Sequence, residues 1–230
     1  MPKLTPNRGR LVPHFRWRYL AGSLLAITTL TTGGVSAQLF DGPVDRLPVE
    51  ERVALRNGQV VIVGQQGQYT GRVLVTAPLE ITWAVLTDYD NFENFFPNVV
   101  DSQLLEANGN RKVFEQVNSV QAFIFSKKTR VRIAATETYL EQIDFNLVEG
   151  DLGSLTGVWQ IEPVSPQASA PPQQVLITHR VTVEPGSTPS FGLFFSIYED
   201  TLADTLAALK QEIELRFDSL SHRTDSRQHH

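Results

Sequence analysis

The chain has 230 residues, 41% of them hydrophobic and 20% charged, proportions that suit one sizeable globular domain and exclude disorder throughout. It contains no cysteine, which removes disulfide scaffolds, thiol nucleophiles and cysteine-held zinc together. The formal net charge is −5, which sets the chain against acidic partners such as nucleic acid.

The N-terminus has a targeting pattern. Lys3, Arg8, Arg10, Arg16 and Arg18 precede the first acidic residue, Asp41, and an apolar run from Tyr19 to Leu30 leads to Val35-Ser36-Ala37. A basic start, a short apolar stretch and a small-x-small site predict a secretory signal over residues 1–37. The run is shorter than the roughly 20 residues a membrane-spanning helix needs. The alternative is an uncleaved signal that keeps the protein at a membrane. Both readings place the protein outside the cytoplasm, in a periplasm or lumen; the cleaved form would make transient membrane contact and the uncleaved one would stay membrane-associated. Cleavage leaves fifteen basic residues against twenty-five acidic ones, a net charge of −10. With no basic patch to offset that charge, no nucleic-acid partner is expected.

Residues 38–57 have two prolines and no sustained period, and read as a linker ending in a short helical turn. From Gly58, Val60, Ile62, Val73 and Val75 predict a hairpin or bent strand. Gly64-Gln65-Gln66-Gly67 has the spacing of a phosphate loop but lacks its lysine and following helix, and reads as the hairpin turn. Pro78 suits a first helical position and Glu80 the positive end of the helix, with Ile81, Ala84 and Val85 on one face. The aromatic stretch Tyr89 to Pro97 predicts a second short helix.

Six strands are predicted next, near residues 99–106, 111–120, 123–137, 141–149, 154–162 and 173–184. Turns at Asn108-Gly109-Asn110 and Glu149-Gly150-Asp151 separate some of them, and a Pro- and Ala-rich loop from Pro163 to Gln174 precedes the last. Tyr198, Leu202, Leu206, Leu209, Ile213 and Phe217 recur at helical spacing within a closing helix over 191–220, and a polar tail covers 221–230. Strands in unbroken succession followed by one long helix give an α+β domain over 58–220, with no βαβ alternation. A sheet this wide must curl, and a helix across its concave face leaves space for a pocket.

Several of these residues resemble a known family. Ala77-Pro78, Trp83, Asp88-Tyr89, Phe92 and Phe96-Pro97 occupy the places of the opening motif of START-like (SRPBCC) domains, in the branch of coenzyme-Q-binding and polyketide cyclase/dehydrase proteins. Gly150 to Trp159 is similar to that family's glycine-spaced turn and L-x-G-x-W strand. The resemblance covers about residues 58–217. It implies a helix-grip (START/Bet v 1-like) fold, with a curved antiparallel sheet and a long C-terminal helix over a cavity for a hydrophobic small molecule. It also implies an aromatic gate between the early loop, the sheet and the final helix.

No nucleophile elbow, metalloprotease helix or dinucleotide fingerprint is present, and neither catalytic residues, metal nor cofactor are expected. His179 alternates with Val175, Ile177, Val181 and Val183, so it shares their apolar face and is the first candidate to orient a ligand. Arg130, on a strand with Arg132, is a candidate anchor for a polar head group, against the alternative that this face meets solvent. Asp88, Asp90 and Glu93 read as capping, solvated carboxylates. Phe92, Phe95, Phe96, Trp159, Phe191, Phe194 and Tyr198 are the candidate ligand-binding aromatics of the gate, set against ordinary core packing. The expected function is binding, with transport or chaperoning, of a quinone, isoprenoid or lipid. The alternatives are a cyclase/dehydrase-type enzyme acting on a polyketide-like substrate and a protein–protein interaction module.

Overall fold

A computed structural model describes residues 42–122, 125–167, 169–187 and 190–228. The expected targeting signal, residues 1–37, and the terminal pair His229 and His230 lie outside the described residues.

The elements follow the predicted order: α1 (Val49–Arg56), β1 (Val61–Gln65), β2 (Gln68–Val75), α2 (Leu79–Leu86), a 3₁₀ turn (Phe92–Asn94), β3 (Val99–Asn108), β4 (Arg111–Ala122), β5 (Phe125–Thr138), β6 (Gln142–Gly150), β7 (Ser154–Val164), β8 (Gln174–Glu184) and α3 (Phe191–Gln228). All eight strands form one sheet in the order β1-β2-β8-β7-β6-β5-β4-β3. Each described pairing is antiparallel. Only the step from β2 to β8 joins strands distant in sequence, so α2 and the 3₁₀ turn are spliced into what is otherwise a meander. Pro78 stands at the N-cap of α2, one residue before the first helical position expected for it.

The inner face of the sheet is the odd-numbered face of β2 and of β5 to β8, and the even-numbered face of β4. Val73, Val75, Val131, Ile133, Ala135, Ile143, Leu155, Val175, Ile177, Val181 and Val183 are all buried there. The apolar stripe of α3 meets them, and Leu206, Leu209 and Ile213 are fully buried. Each such side chain contributes about 1.5–3 kcal/mol relative to exposure. Gly71 on β2 makes that approach possible: a Cβ there would stand 2.4 Å from Leu206 Cδ1. α3 lies over β1 and β2 and against α2, while the 3₁₀ turn sits at β3. The two covers therefore leave the middle strands partly open beneath them.

The stretch read as linker folds onto the outer face. Val44 and Leu55 are buried against Leu74 and Leu176, with Leu47, Val61 and Val164 around them. Arg72 donates to Glu51 at 2.6 Å and ties α1 to β2. The consequence is that the first half of β8 is buried on both faces, with Leu176 and Thr178 as closed off as their inward neighbours, while Arg180 and Thr182 beyond them are exposed.

The candidate functional site

A cavity of about 160 Å³ lies between the inner face, the segment after α2, and α3. α2 and its loop supply Leu86, Tyr89, Phe92 and Phe96. β4 supplies Phe114, Gln116 and Asn118, and the later strands supply Phe145, Leu155, Trp159 and His179. Tyr198 and Thr205 close it from α3. The walls are mostly apolar, and the polar groups are uncharged except on ionisation of a phenol or of the imidazole.

His179 is 5% exposed. β-sheet register places it directly across from Trp159, and the two rings stack with centroids 3.8 Å apart. Phe145 stacks on the imidazole from the other side at 5.4 Å. Gly157, between Leu155 and Trp159 on β7, provides the room: a Cβ there would stand 2.5 Å from Phe145 Cζ. The L-x-G-x-W stretch is thus a platform on which a three-ring stack is built. Nδ1 of His179 is buried with no hydrogen-bond partner. Burial pushes the imidazole pKa down to about 3, so the ring is neutral at physiological pH and a poor base.

The opposite wall is built around Tyr89. Its ring stacks on Phe114 at 4.6 Å and meets Phe92 edge-on at 5.6 Å. Its hydroxyl donates to Glu137 at 2.9 Å, and Ser102 Oγ donates to its carbonyl at 2.5 Å. Burial, followed by the charge of Glu137, raises the phenol pKa well above its ordinary value. Tyr198 stacks on Tyr69 at 5.8 Å and on Phe194 at 6.0 Å, and burial raises its pKa as well.

Of the residues singled out in the sequence, the cavity brings together His179, Trp159, Phe92, Phe96 and Tyr198. Phe95 and Phe194 stand one layer behind. Phe95 packs on Phe92 and Phe96 under the guanidinium of Arg216, 5.5 Å from the ring centroid, and Phe194 backs Tyr198. Arg216 also pairs with Asp88 at 2.8 Å, which fastens α3 to the loop after α2.

Two candidates lie elsewhere. Arg130 is on the outer face of β5, where it and Arg132 form four ion pairs of 2.8–3.0 Å with Glu115 and Glu149. Alternation along β5 turns Val131 and Ile133 inward and so turns both arginines out. Phe191, at the first turn of α3, is 62% exposed and is not part of the wall. Sequence reasoning missed Tyr89, Phe114 and Phe145 as wall residues, together with Gln116, Asn118 and Thr205. Phe114, Gln116 and Asn118 alternate along β4 and so share one face, the signal that could have found them.

A larger groove, about 410 Å³, opens on the outer face beside Thr70, Thr156, Arg180 and Thr182. It is polar and open to solvent, and would leave an apolar ligand wet. Among the described residues no group of His, Asp or Glu side chains is arranged to hold a metal ion, and no helix is long and apolar enough to cross a membrane.

Comparison with known proteins agrees with this geometry. Residues 75–210 match the family described as polyketide cyclase / dehydrase and lipid transport. No curated protein matches significantly. Among solved structures, the chain is similar to the Zhui aromatase/cyclase of Streptomyces sp. R1128 (17% identity, TM-score 0.52, covering 69% of this chain and 96% of that one). It is also similar to a STAR-related lipid transfer protein of Xanthomonas axonopodis (19%, 0.52, 67% and 92%). A START superfamily protein of Mycobacterium smegmatis is similar too (18%, 0.51, 68% and 99%). At these identities the likeness is one of fold, and it is the helix-grip fold expected from the sequence.

Proposed function

The chain belongs to the polyketide cyclase / dehydrase and lipid transport family, and from that premise we propose that it binds and carries a hydrophobic small molecule without transforming it. The observation that carries this reading is the composition of the cavity wall. It is dominated by Leu86, Phe92, Phe96, Val99, Phe114, Ile133, Ile143, Phe145 and Leu155, whose contact with an apolar ligand is driven by about 25 cal/mol per Å² of buried surface. A cyclase needs ionisable groups poised to move protons. Here the imidazole is held far below neutral pH and both phenols far above it.

The cavity, about 160 Å³, is smaller than the roughly 300–1,000 Å³ pockets that enclose drug-sized ligands. A quinone, isoprenoid or acyl lipid would therefore place its head inside and require the aromatic turn or α3 to shift for the remainder. Export, proposed from the N-terminal pattern, would set this carrier beside a membrane that supplies such molecules.

Native mass spectrometry of the full chain, followed by solvent extraction, tests the reading. A co-purifying apolar compound near one per chain is expected, and its loss on Phe96→Asp. A protein that emerges empty and takes up no quinone, isoprenoid or lipid offered in excess contradicts it.

A further inference from the structure

The polar chemistry of the cavity is more selective than its apolar walls. No Lys, Arg, Asp or Glu lines it, so no opposite charge inside offsets the desolvation of a charged head group. His179, 5% exposed, lines it, and the Nδ1 of that ring is buried with no protein partner. Its ring is uncharged, since burial holds the pKa near 3. A neutral imidazole presents one N–H and one bare nitrogen. A ligand hydroxyl can serve either one, a carbonyl only the N–H, and an acyl chain neither.

The shape is equally restrictive. The stacked rings of Phe145, His179 and Trp159, with spacings of 5.4 and 3.8 Å, line one part of the cavity. The Tyr89–Phe114 stack lines another. The space between the walls, about 160 Å³, is close to the roughly 150 Å³ of a dry protein cavity that accepts benzene.

We infer that the group this cavity holds is a single uncharged ring bearing a hydroxyl, of the phenol or hydroquinone class, with the hydroxyl hydrogen-bonded to His179. Carboxylate- or phosphate-headed lipids are turned away. The inference rests on the carrier reading and narrows its ligand to a ring head group.

Calorimetry on the full chain with three probes of matched size tests it: p-cresol, toluene and benzoate. p-Cresol is expected to bind about tenfold tighter than toluene, the worth of one buried hydrogen bond, and benzoate not to bind measurably. In His179→Phe, which keeps a stacking ring, the p-cresol advantage should fall below about threefold while toluene binding persists. Equal affinity of p-cresol and toluene for the wild-type protein overturns the inference, as does tightest binding by benzoate. The apolar fluorophore N-phenyl-1-naphthylamine separates this from failure of the carrier reading. If the fluorophore binds while p-cresol shows no preference, only the ring inference falls. If neither binds, both fall.

Discussion

The two faces of β5 to β8 come from alternate residues of the same strands, yet they treat polar groups in opposite ways. On the outer face Arg130 and Arg132 share Glu115 and Glu149 in a closed set of ion pairs, with arginine side chains 43% and 34% exposed. On the inner face His179 is buried between two rings with a nitrogen unpaired. The outer arrangement is the ordinary way to keep charge on a protein surface, where solvent screening leaves each pair contributing little to stability. The inner one leaves a polar atom without a protein partner, and a buried polar group left unsatisfied is destabilising. A site built to receive something carries such a cost, and a surface built only to stay soluble does not.

That contrast can be broken most forcefully at the α3 contact. Leu206→Ala should destabilise the fold by about 2–5 kcal/mol, because it opens a void against Gly71. Denaturant midpoints read the effect directly. A small loss there would mean that α3 is loosely held and that the cavity has no fixed roof.

The next effect separates the faces by pH. Unfolded His179 gains its proton near pH 6.5, whereas the folded ring does so only near 3. Between those values the unfolded state binds the additional proton. Stability therefore falls as pH drops through the window, by about 1.4 kcal/mol per unit from this group, with no contribution above it. Carboxylates titrate in the same range, so the difference between wild type and His179→Phe isolates the effect. Parallel pH–stability curves for the two proteins would show that His179 is hydrated in the native state.

The smallest effect belongs to the outer face. Arg130→Gln should shift the denaturant midpoint only slightly, because its ion pairs are exposed to solvent, and leave ligand affinity unchanged. A tenfold loss of binding would restore Arg130 as a ligand anchor and reverse the assignment of the two faces.

Much of the architecture was legible because its signals are local. Turn residues bounded the strands after β2, and the apolar recurrence from Leu202 to Ile213 marked the buried stripe of α3. Alternation in β8 correctly grouped His179 with Val175, Ile177, Val181 and Val183. Period-two alternation states which residues share a face, though, and not which face lies inside. That depends on where α3 packs, which is why Arg130 could be read either way. α1 was missed as a cover because it is only eight residues long and buries only Leu55, so little apolar surface marks the face it presents to the sheet. Phe145 depends on space left by Gly157 on a neighbouring strand, a relation that no single stretch of sequence contains.

The most direct test of the central claim is where a ligand sits. Intermolecular NOEs from bound p-cresol to the labelled protein should reach ring protons of Phe145, Trp159 and Tyr89, inside the inner cavity. NOEs confined to Val63, Thr70 and Thr182, in the groove on the other side of the sheet, would contradict the account.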